Sequence, residues 1–240
     1  MLTIKSKKFM LREVEASNMA ITLGILGAGQ LAQMIAASTN RTKYKVLLYA
    51  QSELEPACVD GFEAIIGEKN DQKLIEIFFQ RSDVIILESE FYSFEFLKSL
   101  QDIYPRKIIP ELESYKELSN KKHQKKFFDR CGIKYAKSIL VQSENDLQQL
   151  EMPGPYMVKR SSGGYDGYGN KVVESLEDLK KVIPDFSNNF QSDLLVEEKV
   201  EILSEYACML IKGIKNSIIL PACKTIQRNS VCELVEFPAD

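Results

Sequence analysis

The chain has 240 residues, of which 45% are apolar and 27% are charged, and its formal net charge at pH 7 is −3. This composition is ordinary for a globular protein and gives no electrostatic reason to expect binding to nucleic acid or an acidic membrane. Five cysteines are scattered without a Cys-x-x-Cys pair, which favours reduced thiols in the cytoplasm. No apolar stretch is long enough to span a bilayer.

Residues 1–19 mix basic and acidic side chains without an apolar core. We therefore expect an N-terminal extension outside the fold rather than a signal peptide.

The first predicted elements are a strand, a glycine turn and a helix. An apolar run from Ile21 to Leu26 is followed by Gly27-Ala28-Gly29-Gln30-Leu31-Ala32, which satisfies the dinucleotide-binding fingerprint. That fingerprint also expects an acid at the end of the second strand to hold ribose hydroxyls. The second strand, Lys45 to Tyr49, is followed instead by Ala50-Gln51-Ser52. A nicotinamide-dependent oxidoreductase is therefore an alternative that the turn favours and the missing acid opposes.

Two acids follow the third predicted strand, Asp83 to Leu87. Glu88 and Glu90 have i, i+2 spacing, which points both to one side if the strand continues. They are either solvated carboxylates or ligand contacts, since open α/β sheets bind ligands at the carboxyl ends of their strands. Before them, Asn70 is the predicted cap of a helix that buries Leu74, Ile75, Phe78 and Phe79. Alternating strands and helices predict a parallel, doubly wound sheet.

A second unit is predicted after two helical pieces between Glu111 and Cys131, which Gly132 ends. Ile139 to Val141 is its first predicted strand. The pairs Ser143/Asp146 and Ser175/Asp178 are predicted helix caps.

The segment Met157 to Asn170 predicts a hairpin flap with a glycine-rich tip. An apolar strand ends on Lys159, four glycines follow within a short loop, and a new apolar segment leads away. Glycines let backbone N–H groups approach an anion, and a lysine reaches the same phosphates. Composition alone fits a mobile surface turn equally well, but Tyr165 and Asp166 inside the glycines favour a substrate-binding lid.

This segment resembles the lysine and Gly-Gly-Tyr-Asp-Gly-x-Gly-Gln motif of 5-(carboxyamino)imidazole ribonucleotide synthase, an ATP-grasp ligase of purine biosynthesis, with Asn170 in place of Gln. Gly27 to Met34 is similar to that family's Gly-x-Gly-Gln-Leu-x-Arg-Met opening, with Gln33 replacing Arg. Residues 119–126 resemble its Gln-Asp-Arg-x-x-x-Lys segment; Lys125 keeps the lysine and Lys121 replaces an ATP-contacting Arg.

The resemblance implies roles for residues that spacing alone leaves undecided. Spacing favours solvated charges after the strand Leu194 to Val196, whereas the family's glutamates and linker at this place contact the nucleotide. Gln227 stands where the family has a histidine. The resemblance assigns catalysis to Tyr165 and Asp166. It assigns ATP binding to Lys121, Lys159, Gly164, Tyr165, Asp166, Gly167, Tyr168, Gly169, Asn170, Glu197, Glu198, Lys199, Val200, Glu205 and Gln227. Substrate binding is assigned to Gly29, Gln30, Leu31, Glu88 and Glu90.

The implied reaction has two steps: ATP phosphorylates bicarbonate to carboxyphosphate, and the exocyclic amine of aminoimidazole ribonucleotide captures the activated carboxyl. ATP and magnesium are the implied cofactors, and a homodimer is usual for the family. The family's two magnesium carboxylates lie downstream of the position of Asp240, so we expect no metal ligands within this chain. The alternative is a truncated, non-catalytic nucleotide-binding remnant, which the early end and Gln33, Lys121 and Gln227 favour.

The predicted fold class is α/β. A parallel doubly wound pre-ATP-grasp domain (20–110) and a helical crossing (111–132) precede an incomplete α+β ATP-grasp domain (133–240).

In a full-length version of the protein, Asp166→Asn is expected to lower the rate of carboxylation more than the affinity for nucleotide. The resemblance places this carboxylate toward the imidazole substrate, where it would orient the amine. Carboxylation assays and nucleotide titrations of the same preparation check this, and an equal loss of both would remove the substrate role.

Overall fold

A computed structural model describes residues 20–88, 92–162, 169–188, 192–213, 215–228 and 231–239. It divides the chain into two compact units, Met1–Leu112 and Glu113–Asp240.

The first unit is built on a five-stranded sheet in the order β3-β2-β1-β4-β5, and every neighbouring pair is parallel. The predicted parallel, doubly wound sheet is therefore confirmed. The strand at Asp83 to Leu87, predicted as the third, is the fourth strand along the chain. The prediction missed β3, because β3 has only four residues and none of them is fully buried. Its strands are β1 (Ile21–Leu26), β2 (Tyr44–Ala50), β3 (Glu63–Ile66), β4 (Val84–Leu87) and β5 (Ile108–Ile109).

Helices follow the strands, as expected for parallel connections. Ile75, Phe78 and Phe79 are buried on α3 as predicted. The cap of this helix is Asp71 rather than Asn70, since the Asp71 carboxylate accepts a hydrogen bond from the N–H of Leu74 at 3.0 Å. The helices are α1 (Gln30–Ser38), α2 (Pro56–Val59), α3 (Gln72–Arg81), α4 (Phe94–Ile103) and α5 (Leu112–Leu118), the last of which begins at the final residue of the unit.

The second unit contains a four-stranded sheet in the order β6-β9-β7-β8, in which every neighbouring pair is antiparallel. The predicted flap is the hairpin of β7 and β8. The elements are α6 (Lys121–Cys131), β6 (Ser138–Val141), a 3-10 helix (Glu144–Gln149), β7 (Tyr156–Arg160), β8 (Asn170–Val173), α7 (Leu176–Phe186) and β9 (Leu194–Glu198).

Five short strands follow, whereas the apolar runs Ile218 to Pro221 and Val231 to Pro238 predict only two. One sheet has the order β10-β13-β14 and a separate pair joins β11 to β12, all antiparallel. These strands are mostly exposed, so their sequences carry little of the alternation that marks a half-buried strand. They are β10 (Glu205–Ala207), β11 (Leu210–Lys212), β12 (Ser217–Ile219), β13 (Cys223–Arg228) and β14 (Val231–Glu236).

Local chemistry fixes the ends of the helices in this unit. The Ser175 hydroxyl accepts a hydrogen bond from the N–H of Asp178 at 3.1 Å and so caps α7. Ser143 N–H donates to the Asp146 carboxylate at 2.8 Å and opens the 3-10 helix. Gly132 ends α6 with φ of 65°, a backbone conformation that glycine adopts without a steric penalty. These predicted caps and stops are confirmed.

One apolar core lies between the four-stranded sheet and α7. It includes Tyr156 and Val158 of β7, Leu194 and Val196 of β9, and Leu179 of α7. Side chains alternate between the two faces of a strand, so the residues between these point to the opposite face. In the part of the chain that the structure describes, no helix combines the length and apolar character needed to cross a bilayer.

Replacing Leu179 by alanine is expected to lower the free energy of unfolding by about 2–5 kcal/mol, because it leaves a cavity beneath α7. Leu176→Ala on the same helix is the matched control, since Leu176 is 39% exposed. Its expected cost is about 0.5 kcal/mol or less. Chemical denaturation of both variants checks the difference, and equal losses would contradict this core.

Candidate functional site

The second unit has a cavity of about 440 Å³ on the sheet face opposite its core. That volume falls within the range of pockets that hold small-molecule ligands. The lining combines apolar and charged side chains, and among the charged ones Lys125, Lys159 and Glu197 form ion pairs with one another. The remaining lining residues are Ala136, Met157, Glu198, Lys199, Val200, Glu201 and Ile202.

The register of β7 against β9 brings two of these charged residues together. Met157 lies opposite Glu197 in the antiparallel pair, and Lys159 lies opposite Leu195. Since side chains of alternate residues share a face, Lys159 and Glu197 emerge on the same side of the sheet. The core residues Tyr156 and Val158 occupy the other side. The alternation that buries the core thus also aims the charged pair into the cavity.

Glu197 is a buried carboxylate held by two ammonium groups. It is only 3% exposed, which contradicts the solvated position that spacing alone favoured. Oε1 accepts from Lys125 Nζ at 2.7 Å, and Oε2 accepts from Lys159 Nζ at 2.5 Å. Burial acts to raise the pKa of Glu197, but the hydrogen bonds and charges of the two lysines outweigh it, and the pKa is lowered.

The N-terminus of α6 is tied to the end of β7, and this positions Lys125. The N–H of Lys121 donates to Ser161 O at 2.8 Å, and Ser161 Oγ lies 3.2 Å from Asn120 Oδ1. Lys125 lies one turn further along α6, with its ammonium 4.3 Å from the ring centroid of Tyr135. The sequence assigned no role to Lys125, although its spacing of four from Lys121 places both on one helix face. Lys121 itself does not line the cavity.

The linker Glu198 to Val200, at the end of β9, is held in place by hydrogen bonds from two of its backbone N–H groups to neighbouring segments of the protein. The N–H of Glu198 donates to Lys137 O at 2.9 Å, and the N–H of Lys199 donates to Pro155 O at 3.0 Å. The Glu198 carboxylate turns back to the N–H of Lys137 at 2.8 Å. Among the described residues, the N–H groups of Val200, Glu201 and Ile202 donate to no backbone carbonyl, so this part of the chain retains donors that a ligand in the cavity can use.

Glu205 and Gln227 are brought together by the pairing of β10 with β13. The Glu205 carboxylate accepts from Thr225 Oγ1 at 2.7 Å and from Gln227 Nε2 at 2.9 Å. These two hydrogen bonds lower the pKa of Glu205. Neither Glu205 nor Gln227 lines the cavity.

Most of the predicted glycine tip lies outside the described residues, namely Gly164, Tyr165, Asp166, Gly167 and Tyr168. Gly169 has φ of 89°, and its carbonyl accepts from the N–H of Arg160 at 2.8 Å. Asn170 is the Cα partner of Lys159 in the hairpin. The tip therefore begins directly beside the lysine that pairs with Glu197.

In the first unit, Glu88 lies against the glycine turn that follows β1. A β-carbon at Gly27 would lie 2.4 Å from Glu88 Oε2, and one at Gly29 would lie 2.5 Å from Glu88 Oε1. A carboxylate in this turn repels a pyrophosphate, which argues against the nicotinamide alternative. Gln30 and Leu31 open α1, and Leu31 is exposed. Glu90 lies outside the described residues.

The described residues contain no group of three or more His, Cys, Asp or Glu side chains arranged to hold a metal ion. Magnesium prefers several oxygen ligands in near-octahedral geometry. The described residues therefore do not fit a magnesium site.

The low pKa of Glu197 predicts acid sensitivity of folding. The carboxylate stabilises the fold above the ordinary glutamate pKa of about 4.3, and that contribution is lost as the pH falls through the lowered folded-state value. Glu197→Gln is therefore expected to reduce stability at neutral pH and to flatten its decline below about pH 4.5. Denaturation across this range checks it, with the exposed Glu201→Gln as control. A variant whose curve parallels the parent's would contradict the paired carboxylate.

Two protein-family models match the chain, and the boundary between them lies close to the boundary between the two structural units. A model described as a ribonucleotide synthetase pre-ATP-grasp domain matches residues 19–116, and one described as an ATP-grasp domain matches residues 126–240.

Individual relatives agree. Phosphoribosylaminoimidazole carboxylase of Saccharomyces cerevisiae is 29% identical over 226 residues, which are 91% of this chain and 39% of the relative. N5-carboxyaminoimidazole ribonucleotide synthase of Staphylococcus aureus is 30% identical over 222 residues, which are 91% of this chain and 58% of the relative. The chain thus spans about half the length of the curated relatives that it matches.

A solved structure shows the same fold. N5-carboxyaminoimidazole synthetase of Staphylococcus aureus, complexed with ADP, superimposes with a TM-score of 0.81 at 28% identity, covering 93% of this chain and 60% of that one. The mixed α/β architecture, with a parallel sheet followed by antiparallel sheets, is that of the ATP-grasp structures. The chain thus has a pre-ATP-grasp domain followed by an ATP-grasp domain, and over both it is similar to N5-carboxyaminoimidazole ribonucleotide synthases.

Proposed function

We propose that this chain binds ATP as part of a carbon–nitrogen ligase that carboxylates 5-aminoimidazole ribonucleotide with bicarbonate, in purine biosynthesis. The observation that carries the proposal is the buried Glu197 with Lys159 and Lys125 in the lining of a cavity of ligand size. ADP is bound by the Staphylococcus aureus relative of the same fold, and the names of the curated relatives supply the substrate.

The cavity suits the base and sugar of a nucleotide. Met157, Ala136 and Ile202 provide apolar contact for a purine ring. The linker offers the N–H of Val200 as a donor, and its carbonyl groups as acceptors, to the edge of adenine. Donors and acceptors placed along one edge of a flat base select it by hydrogen bonding rather than by shape alone. Glu205, whose pKa is lowered, would accept from the ribose hydroxyls.

The phosphates would extend from this pocket toward the hairpin. Lys159 is the penultimate residue of β7 and pairs with Asn170 where the glycine tip ends, so its ammonium and the tip's N–H groups would neutralise the phosphate oxygens together. Lys121 would add charge without the bidentate geometry of the Arg it replaces.

The glycine tip would also exclude water from the reaction. Carboxyphosphate hydrolyses readily, so the two steps require a covered site in which the reactants are positioned and their charge is neutralised. Tyr165 and Asp166 would face the imidazole substrate, and Asp166 would orient its exocyclic amine. In the first unit, Gly29, Gln30, Leu31, Glu88 and Glu90 would contact the ribonucleotide.

Three further parts of the proposal rest on the resemblance. Magnesium would accompany ATP, although the described residues offer no carboxylate cluster for it. A cytoplasmic location is supported by the five cysteines, all of which are free thiols. A homodimer is expected from the family, and light scattering tests it.

A second candidate is a nucleotide-binding module without catalysis. It is favoured by the replacement of the family's Arg and His by Lys121 and Gln227. Phosphate release from ATP in the presence of magnesium, bicarbonate and aminoimidazole ribonucleotide separates the two. Nucleotide binding without turnover supports the module.

Lys159→Met is expected to weaken ADP binding by at least about tenfold, since a charge-assisted hydrogen bond contributes roughly 1.5–3 kcal/mol. Lys180→Met is the control, because Lys180 is an exposed lysine on α7 outside the cavity. Calorimetric titration of both variants and the parent chain checks this. ADP binding that survives in Lys159→Met would reject the assigned cavity.

A further inference from the structure

The two lysines at Glu197 do not compete for one position. Lys125 contacts Oε1 and Lys159 contacts Oε2, at 2.7 Å and 2.5 Å. Each ammonium has its own oxygen on a carboxylate that burial shields from water. One lysine can therefore leave while the other remains bonded to the carboxylate.

The two lysines differ in how firmly they are held. The Lys125 side chain is 17% exposed, lies on α6 and rests against the face of Tyr135 at 4.3 Å. The Tyr135 hydroxyl donates back to Asp129 of the same helix at 2.7 Å, which fixes the ring in place. The Lys159 side chain is 29% exposed and stands near the end of β7, next to the hairpin tip. Lys125 is thus the more restrained of the two partners, and Lys159 is the more accessible one.

Recruiting Lys159 to a phosphate has a consequence for Glu197. Breaking a buried ion pair by removing one partner is strongly unfavourable, because it leaves an uncompensated charge in a poorly solvated place. With Lys125 still bonded to Oε1, the carboxylate keeps a counterion after Lys159 leaves. Without Lys125, each phosphate contact made by Lys159 would leave Glu197 unpaired.

We infer that Lys125 is a positioning residue that keeps Glu197 paired, so that Lys159 is released to bind the phosphates of the nucleotide. This rests on the proposed nucleotide site and deepens it. Lys125 acts through Glu197 and Lys159 and makes no contact of its own with the phosphates. Its effect therefore falls on phosphate-bearing ligands rather than on the base and sugar.

The experiment compares two ligands on each variant. Lys125→Met removes the charge and retains much of the stem, and ADP and adenosine are titrated calorimetrically against it and the parent chain. ADP affinity is expected to fall at least about tenfold (~1.4 kcal/mol), and adenosine affinity by less than about threefold. Lys125→Arg, which keeps a cation over Tyr135, is expected to restore most of the ADP affinity.

Matched controls separate this role from a structural one. Lys126→Met makes the same change at the next residue of α6, which is exposed, and should leave both affinities as in the parent chain. Lys125→Gln provides a second neutral variant if Lys125→Met does not fold, and circular dichroism monitors folding of each protein. Equal losses for adenosine and ADP, or no loss for either, would overturn the inference.

The parent chain distinguishes this inference from the proposed function. If the parent binds neither ligand, the nucleotide site itself is rejected. If it binds ADP and the Lys125 variants show no preferential loss for ADP, the nucleotide site stands and the positioning role is rejected.

Discussion

A buried carboxylate between two ammonium groups is the constraint on which the second unit depends. Glu197 comes from β9, Lys159 from β7 and Lys125 from α6, so its two ion pairs are satisfied only when all three elements are correctly placed. A slip of one residue between β7 and β9 would turn Glu197 toward the apolar core and Val196 toward the cavity. The polar site and the core therefore specify the same register, each on its own face of the sheet.

Much of the fold follows from local sequence chemistry. The strand at Ile21–Leu26, the hairpin around the glycine tip and the stop at Gly132 are set by apolar runs and by glycine. Two features that local sequence does not predict, the buried face of α1 and the presence of β3, depend on tertiary packing. The helix α1 buries Ala32 and Ala36 rather than its larger apolar residues, because small side chains allow the helix to lie close to the sheet. Strand β3 owes its place to pairing with β2, which four weakly apolar residues do not signal.

The residues of the candidate site differ in how far the sequence predicts their roles. Lys159 stands near a strand end before a glycine loop, a pattern that fits anion binding and a surface turn equally well until Tyr165 and Asp166 within the loop favour a binding site. Glu197 has no such pattern, since two acids after a strand usually face water, and only the resemblance marked it. The contact of Lys125 with Tyr135 and Glu197 joins α6 to residues 10 and 72 positions away in the sequence. Spacing along a helix contains no information about partners at that separation. Likewise, Glu205 and Gln227 meet only because β10 pairs with β13.

The proposed nucleotide site holds its cation, Lys159, in an ion pair with its own carboxylate, and this pairing needs a physical reason. In the ligand-free protein, an unpaired Lys159 beside a buried apolar strand would be poorly solvated, and an unpaired Glu197 more so. Pairing Lys159 with Glu197 satisfies both groups. A phosphate that binds Lys159 must then replace the charge-assisted hydrogen bond between the lysine and the carboxylate. Binding is then favoured only where Lys159 gains more from the ligand than it loses from Glu197, which favours ligands with several anionic oxygens over those with one. Lys125 makes this exchange feasible, because the carboxylate that gives up one cation retains the other.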